Sequence, residues 1–469
     1  MVFSSLIFLF AYLPLTLLIY YAVPRAWRNA VLFAVSLLFY GWGEPVYILL
    51  MVLSITTAYL FGFVIDKYRE SDPKRAKYAM IASLAVNLLF LLFFKYYNFF
   101  ARNLSLLPFL EIPVIDGLEL PIGISFYTFQ IMSYTIDLYR RDCRVQKNYV
   151  AFSTYVALFP QLIAGPIVRY RDVDAQLTER RETLDHFAVG VQRFSVGLAK
   201  KVLIGDMLAA GHAYYQNLAE FQSTTLGAWM TVILYTLHLY YDFSGYSDMA
   251  IGLGKMFGFQ FPENFNYPYI SKSITEFWRR WHISLSTWFR EYVYIPLGGN
   301  RKGQVRTYLN LAVVWLLTGF WHGANWNFVL WGLYFCVILI LEKAFLLRFL
   351  EKIPSVFRHV YAMLLVVIGF LIFSFSDAAA GWSCFLAMFG VGTSGLTSAT
   401  VSYQLLRLLP LILFSCIGAT PLPKKLWEKL CEKHSAASVL IPLACVGILI
   451  LCMAYLVDST FSPFAYTQF

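Results

Sequence analysis

The chain has 469 residues, of which 59% are hydrophobic, 18% aromatic and 14% charged. A soluble domain is about 45–50% apolar and about 25% charged, so this composition excludes a soluble globular protein, a disordered chain and a collagen-like fibre. Since a membrane helix needs about 20 apolar residues, the length suits one polytopic membrane domain over residues 1–469. The net charge of +10 is then explained by basic loops beside anionic lipid headgroups, without nucleic acid.

Apolar segments along the whole chain predict an all-α protein that crosses the membrane about 11–12 times. The first segment is followed, not preceded, by its positive charges Arg25 and Arg28, which predicts a retained span and not a cleavable signal. Several segments are shorter than a straight span, so we expect them inside the helical assembly, where the membrane can be thinned. The candidate crossings lie near residues 4–23, 30–43, 46–65, 79–99, 121–139, 203–217, 225–243, 307–321, 326–341, 359–376, 403–418 and 437–456.

The distribution of basic residues predicts the orientation of these crossings. If the N-terminus lies outside and the crossings alternate, 34 of the 37 Lys and Arg residues fall on the cytoplasmic side. The loop 101–120, which carries Glu111, Asp116 and Glu119, falls outside. This arrangement follows the positive-inside bias of membrane proteins, so we expect a multi-pass protein with its N-terminus outside.

One apolar stretch, residues 150–168, breaks the alternation because basic residues flank it on both sides. Pro160, Gly165 and Pro166 also interrupt its helix. A re-entrant hairpin that enters and leaves on the cytoplasmic side accounts for both facts; an ordinary kinked span is the alternative. Because irregular backbone at membrane depth needs shielding by protein or a water-filled cavity, Gln161 in this stretch is a candidate to line a substrate path.

Residues 273–297 predict an amphipathic helix that lies in the membrane interface. Apolar side chains recur with helical spacing on one face, and charged side chains populate the other. The apolar face consists of Trp278, Trp281, Leu285, Trp288 and Phe289. Trp281 is a further candidate to line a substrate path.

Two histidines are candidates for chemistry, because an ionisable residue at membrane depth is costly and often functional. His322 lies between two apolar segments, beside Trp321 and near Asn325, whose amide could orient a hydroxyl group. His282 lies beside the tryptophan-rich face. Imidazole titrates near neutral pH and suits a general base. From the residues alone, a structural histidine bonded to a neighbouring helix remains an equal alternative for His322.

Asp242 and Asp248 lie six residues apart in another apolar segment. Two carboxylates can form an acid–base pair or bind a cation, and hydrogen bonds to neighbouring helices are the alternative. No ligand-spaced cluster predicts a metal site, and no nucleophile elbow, Walker loop or dinucleotide fingerprint occurs. A membrane cavity with a buried histidine leaves group transfer or transport as the expected function.

Long sequence motifs resemble one known family, the membrane-bound O-acyltransferases. Within that family the chain is similar to the alginate-type branch of bacterial O-acetyltransferases. The resemblance covers the chain from its first residue to about 345, and its most specific block is 120–345. It is carried by MVFSS at the start, LPIGISFYTFQIMSYTIDLYR at 120–140, LFPQLIAGPIVRYRD at 158–172, the block from YYDFSGYSDMAIG to YIPLGGNR at 240–301, and TGFWHGANW at 318–326.

The resemblance implies a ring of transmembrane helices, with re-entrant and interfacial helices around a central tunnel. It implies that His322 is the catalytic base and His282 a second active-site residue. It also implies a bacterial cytoplasmic-membrane enzyme that takes an acetyl group from a cytoplasmic donor, acetyl-CoA, and binds no cofactor covalently. The acetyl group would pass to a secreted or membrane-anchored acetyltransferase or acceptor protein, for O-acetylation of an extracellular or cell-wall polysaccharide such as alginate.

Two other functions remain as alternatives. The related teichoic acid D-alanyl transferases use a carrier protein as donor, but the long 240–301 match favours the alginate type. A transporter without covalent chemistry would predict paired inverted repeats, and none is evident in the sequence.

Overall fold

A computed structural model of the chain describes residues 1–217, 223–433 and 440–458. Within these ranges the secondary structure is helical, apart from one isolated bridge between Thr224 and Gly395. The chain forms two compact units. The first contains Met1–Phe194 and Tyr246–Pro262, and the second contains 195–245 and 263–458 of the described residues.

Membrane-length helices pack against a buried central helix in the first unit. Ile48–Tyr68 and Pro73–Leu104 both contact Ile124–Arg140, whose side chains are nearly all buried. Protein therefore surrounds this 17-residue helix. The helices of this unit are Phe8–Tyr12, Leu13–Ala22, Arg25–Trp27, Arg28–Gly41, Ile48–Tyr68, Pro73–Leu104, Ile124–Arg140, Tyr149–Ala157, Phe159–Leu162 and Tyr170–Glu179; Leu184–Ala199 and Thr225–Met256 contribute residues to both units.

A close helix pair, Gln304–His322 with Trp326–Leu341, organises the second unit. A Cβ atom added to Gly319 would lie 2.5 Å from the carbonyl oxygen of Phe328, and one added to Gly332 would lie 2.5 Å from that of Trp315. Small residues thus let the two backbones touch, as at many membrane helix interfaces. The other helices of this unit are Lys200–Gly205, Asp206–Asn217, Pro268–Ile270, Ile274–Arg280, Ile283–Phe289, Arg290–Tyr294, Glu342–Leu346, Leu347–Leu350, Ser355–Ser374, Ala378–Met388, Ala399–Gly418, Leu422–Lys433 and Leu440–Asp458.

The all-α, polytopic class predicted from the sequence is confirmed. Six helices of the described chain are long and apolar enough to cross a membrane. The remaining predicted crossings correspond to shorter or more polar helices, such as Arg28–Gly41 and Asp206–Asn217, so the count of 11–12 stays a prediction. The six are Ile48–Tyr68, Pro73–Leu104, Trp326–Leu350, Ser355–Ser374, Ala399–Gly418 and Leu440–Asp458; residues 437–439 of the last predicted crossing lie outside the described ranges.

The structure bears on two local expectations, the broken helix over 150–168 and the amphipathic helix over 273–297. Residues 150–168 contain a broken helix, as expected, but the break lies at Leu158, before Pro160; re-entry from the cytoplasmic side stays a prediction. The expectation of one continuous amphipathic helix over 273–297 is wrong, because the backbone turns at His282. Its tryptophan face is also buried in protein, because neighbouring helices cover it.

Candidate active site

A break between two short helices places His282 in the second unit. Ile274–Arg280 ends before Trp281, Ile283–Phe289 begins after His282, and His282 itself has left-handed backbone angles of φ 46° and ψ 54°. Such angles cost a non-glycine residue on the order of 1–3 kcal/mol and cluster at functional sites. The break therefore needs support from surrounding residues.

The segment 264–266 supplies that support through backbone hydrogen bonds. The N–H of Asn266 donates to the carbonyl of Arg280 at 2.9 Å, and the N–H of Ile283 donates to the carbonyl of Asn264 at 3.0 Å. The chain on both sides of His282 is thus tied to one neighbouring segment. The sequence analysis did not identify this segment as part of the site.

The side chain of Asn264 fixes the tautomer of His282. Asn264 Oδ1 lies 3.1 Å from His282 Nδ1, 3.3 Å from the backbone N of Ser284 and 2.9 Å from its hydroxyl oxygen. The backbone N–H of Ser284 can only donate, so the shared Asn264 atom is the oxygen acceptor. His282 Nδ1 therefore carries a hydrogen and donates it, and Nε2 of the neutral ring carries the lone pair.

His282 is 1% exposed and lies between two aromatic rings. Its ring centroid is 4.8 Å from that of Phe243 and 5.9 Å from that of Trp321, both in edge-to-face geometry. Burial lowers the pKa of His282 to about 3. The imidazole is therefore neutral at physiological pH.

His322 is the last residue of Gln304–His322 and is 4% exposed. Aromatic rings contact its imidazole at centroid distances of 5.1 Å for Trp321, 5.0 Å for Trp331 and 5.3 Å for Phe373. The helix ends at Gly323, where a Cβ atom would lie 2.2 Å from the Phe328 ring, so that ring leaves no room for a larger residue. The structure thus brings His282 and His322 to one indole ring, that of Trp321.

A cluster of three tryptophans extends from His322, and the sequence analysis did not identify it as functional. The ring of Trp278 lies 4.8 Å from that of Trp315 and 5.4 Å from that of Trp331. Among the described residues, the buried indole N–H groups of Trp278 and Trp331 have no hydrogen-bond acceptor. Because buried donors in proteins are usually paired, these two groups are candidates to donate to a substrate.

Asp242 and Asp248, for which a carboxylate pair and bonds to neighbouring helices were equal alternatives, each contact a cation of their own, and a role in substrate binding stays a prediction. Asp242 belongs to the second unit and lies 2.8 Å from Lys201 Nζ, which also lies 2.5 Å from Asp206. Asp248 belongs to the first unit and pairs with Arg193 at 2.6 Å. Each carboxylate has its own cation because the helix places them in different surroundings.

The other candidates have structural contacts. Trp281 packs among aromatic side chains, 5.2 Å from Phe370. Asn325 Oδ1 accepts a hydrogen bond from the N–H of Trp326 at 2.6 Å and caps the following helix. Gln161, in the first unit, is 1% exposed and donates to the carbonyl of Tyr155 at 2.6 Å.

No group of three or more His, Cys, Asp or Glu side chains that could hold a metal occurs in the described chain.

Comparisons with known proteins agree with the resemblance. Residues 141–385 match the model of the membrane-bound O-acyltransferase family. A protein named "Probable alginate O-acetylase AlgI" from Azotobacter vinelandii is 45% identical over 84% of this chain and 79% of its own length. A "Peptidoglycan O-acetyltransferase" from Helicobacter pylori is 37% identical over 74% of this chain and 71% of its own length. A "Teichoic acid D-alanyltransferase" from Bacillus subtilis is 30% identical over 46% of this chain and 58% of its own length.

Proposed function

This chain belongs to the membrane-bound O-acyltransferase family and is an acyltransferase, and from that premise we propose its donor, acceptor and catalytic residues. The acyl group is acetyl, taken from acetyl-CoA on the cytoplasmic side of a bacterial cytoplasmic membrane. A secreted or membrane-anchored partner then delivers it to hydroxyl groups of an extracellular or cell-wall polysaccharide, of which alginate is the first candidate. The names of the relatives support O-acetylation of a polymer.

One observation carries the assignment of the reaction centre. Two buried histidines, His282 and His322, both contact the ring of Trp321, and both lie inside the region that matches the family model. Buried imidazoles that share a surface are suited to proton transfer during acyl transfer.

In the proposed reaction His322 is the general base. It removes the proton of the acceptor hydroxyl while that oxygen attacks the thioester carbonyl of acetyl-CoA. The C–S bond then breaks, and the proton passes from the imidazole to the departing thiolate. One ester and one thiol are formed, with no net uptake or release of protons.

His282 has a different role in this scheme, because Asn264 already holds its Nδ1–H. The lone pair of Nε2 accepts a hydrogen bond from a substrate group other than the reacting hydroxyl, whose single hydrogen goes to His322, and the lowered pKa of the ring makes His282 a poor proton carrier. The N–H of Trp331, next to His322, donates to the carbonyl oxygen as negative charge develops there. A positioned donor of this kind stabilises the transition state of acyl transfer.

Reconstitution in liposomes tests the whole proposal. Labelled acetyl-CoA is enclosed inside, and the secreted partner or a soluble acceptor is supplied outside. We expect label on the outer acceptor with the wild-type protein and none with His322→Ala. A D-alanyl carrier protein enclosed in place of acetyl-CoA should give no transfer. Transfer from that carrier alone, or equal transfer by His322→Ala, would refute the proposed donor or base respectively.

A further inference from the structure

The loop between Pro73–Leu104 and Ile124–Arg140 carries a group of exposed apolar side chains. Leu106 is 80% exposed, Leu107 43% and Phe109 81%. We call residues 106–111 the outer tip, and all of it belongs to the first unit. Neighbouring apolar side chains that are exposed outside a membrane mark a contact surface.

The base of this loop is tied to the end of Pro73–Leu104. The N–H of Ile112 donates to Ser105 Oγ at 3.0 Å. Asn98 and Ile115 exchange two hydrogen bonds of 3.0 Å: the side-chain amide of Asn98 donates to the carbonyl of Ile115, and Asn98 Oδ1 accepts from its N–H. The chain therefore leaves the helix end, forms the outer tip and returns alongside the helix, so the tip lies beyond Ser105.

The outer tip itself contains a tight turn. The N–H of Leu110 donates to the carbonyl of Leu107 at 3.1 Å. Pro108 and Phe109 are the two central residues of this turn, and proline favours the first of these positions. The Phe109 side chain is thus presented by a backbone that has little freedom to lose on binding, which is a property of preorganised binding surfaces.

The length of the preceding helix places the outer tip beyond the apolar layer of a bilayer. Pro73–Leu104 has 32 residues and is about 48 Å long at 1.5 Å per residue, whereas the hydrocarbon layer is about 30 Å thick. Its first turns carry Lys74, Arg75 and Lys77, which stay out of the hydrocarbon. The opposite end, where Arg102 is exposed, therefore extends past that layer, and acyl chains do not cover the tip.

Acidic residues border the outer tip. Between positions 103 and 122 the sequence contains Glu111, Asp116 and Glu119 and no basic residue, and all three carboxylates are exposed. Anionic lipid headgroups do not match such a border. A second copy of the same surface would place like charges opposite each other, which is unfavourable. The charges match a protein whose apolar patch is bordered by Lys or Arg.

We propose that the outer tip is the docking surface for the partner protein that receives the acetyl group. Phe109 enters an apolar recess of that partner, and basic residues around the recess lie against Glu111 and its acidic neighbours. The predicted orientation places the tip on the outer side, where the acetyl group is delivered. This inference rests on the proposed function, because it requires an acceptor protein outside the membrane.

Titration of the acceptor protein in the liposome assay tests the docking surface. Liposomes that hold the full chain and labelled acetyl-CoA are placed in a periplasmic extract of the producing bacterium. The outer protein that gains label is identified by mass spectrometry and purified, and it is the probe in all further measurements. We expect Phe109→Ser to raise KM for this protein about tenfold or more, as truncation of an interface hot spot does, and to leave kcat unchanged.

Two variants provide the controls. Phe109→Leu keeps a large apolar side chain and should restore most of the wild-type KM. Leu396→Ser changes another exposed apolar residue, 73% exposed and in the second unit, which the predicted crossings also place outside. It should change neither constant. Equal KM values for Phe109→Ser and Leu396→Ser, or a fall in kcat with an unchanged KM in Phe109→Ser, would refute the docking surface.

Two further measurements identify the occupant. Glu111→Lys should raise KM for the acceptor protein most at low ionic strength, because salt screens exposed charges; an unchanged KM at every ionic strength would refute the acidic border. A photoreactive benzoylphenylalanine in place of Phe109 should crosslink to the same acceptor protein. Adducts only with phospholipid, or only with a second copy of this chain, would refute the proposed partner.

The same assay separates this inference from the proposed function. Outer label on a polysaccharide, with no labelled protein, would refute the docking partner and leave acetyl transfer across the membrane intact. No outer label at all with the wild-type protein would refute the proposed function and this inference with it.

Discussion

His322 ends one helix, whereas His282 immediately precedes another. The C-terminal end of a helix carries partial negative charge and favours a cation, and the N-terminal end carries partial positive charge and disfavours one. The helix Ile283–Phe289 also continues directly into the π-helix Arg290–Tyr294, so its dipole is longer than seven residues suggest. The two imidazoles therefore lie at helix ends of opposite partial charge, which supports the assignment of the base to His322.

Substitution of His322 tests that assignment. His322→Ala and His322→Gln should each lower kcat by about 10²–10⁴-fold, the range for loss of a general base. Glutamine can hydrogen-bond but cannot take up a proton, so it should not rescue activity. The measurement is turnover of labelled acetyl-CoA by protein whose insertion and monodispersity match the wild type. Near-normal turnover by a well-folded His322→Gln would reassign the histidine to packing or donor orientation.

Asn264 should act as a positioning residue through His282. Asn264→Leu removes the acceptor of the Nδ1–H bond, and loss of such an orienting partner typically costs about 10–100-fold in activity. Asn264→Asp keeps an acceptor oxygen and should restore much of kcat, while its negative charge stabilises the protonated ring and moves the acid limb of the pH profile upward. Asn266→Ala, at an exposed position in the same segment, is the matched control and should leave kcat and the pH profile unchanged. A purely structural role for Asn264 would leave the pH profile of Asn264→Asp like that of the wild type.

The N–H of Trp331 should contribute to the transition state and not to folding. Trp331→Phe keeps an aromatic ring beside His322 but removes the donor, so kcat should fall about 10²–10³-fold with little change in KM. Trp326→Phe, on the same helix with 54% of its side chain exposed, provides the control. A kcat within a few-fold of the wild type for Trp331→Phe would exclude the indole as a donor to the carbonyl oxygen.

Lys201 should be important for stability, because it neutralises two carboxylates in the protein interior. Lys201→Met leaves Asp206 and Asp242 without that cation, and breaking a buried ion pair costs about 3–5 kcal/mol. Replacing Asp242 by Asn in the same protein should restore part of the loss. Lys200→Met, at a neighbouring half-buried position, should change little. Thermal unfolding in detergent, followed by intrinsic tryptophan fluorescence, measures all of these; equal midpoints for Lys201→Met and Lys200→Met would contradict the interpretation.

The sequence predicted the helical class because hydropathy reports burial and lipid exposure directly. It also placed the interruption after Trp321, since Gly323 and Asn325 are a helix end and a cap in the structure. Helical periodicity could not predict the break at His282. That break depends on hydrogen bonds that Asn264 accepts and Asn266 donates, and both residues are more than a dozen positions away in the chain.

The ion pairs were beyond sequence reasoning for a similar reason. The spacing of Asp242 and Asp248 along one helix says nothing about which neighbouring helix supplies a cation. Lys201 and Arg193 do so in different units, and only packing determines those partners. The tryptophans were visible in the composition, but the N–H groups of Trp278 and Trp331 that have no acceptor among the described residues became apparent only with the structure.

The predicted orientation rests on charge and can be tested by labelling from outside the cell. The seven native cysteines, which form no disulfide, are first replaced to give a silent background. Single cysteines are then introduced as Leu106→Cys and Lys302→Cys, at positions that are both exposed in the structure, so that a lack of labelling reports the membrane and not burial.

We expect a membrane-impermeant maleimide to label Leu106→Cys in intact cells and Lys302→Cys only after permeabilisation. The reason is the positive-inside bias: the loop around Lys302 belongs to the basic set, whereas the loop around Leu106 carries acidic residues. Activity of both variants confirms that the labelled protein is native. Labelling of Lys302→Cys in intact cells would reverse the topology, and the acetyl-CoA entrance would then have to lie on the face opposite the cytoplasmic donor, which the proposed reaction does not permit.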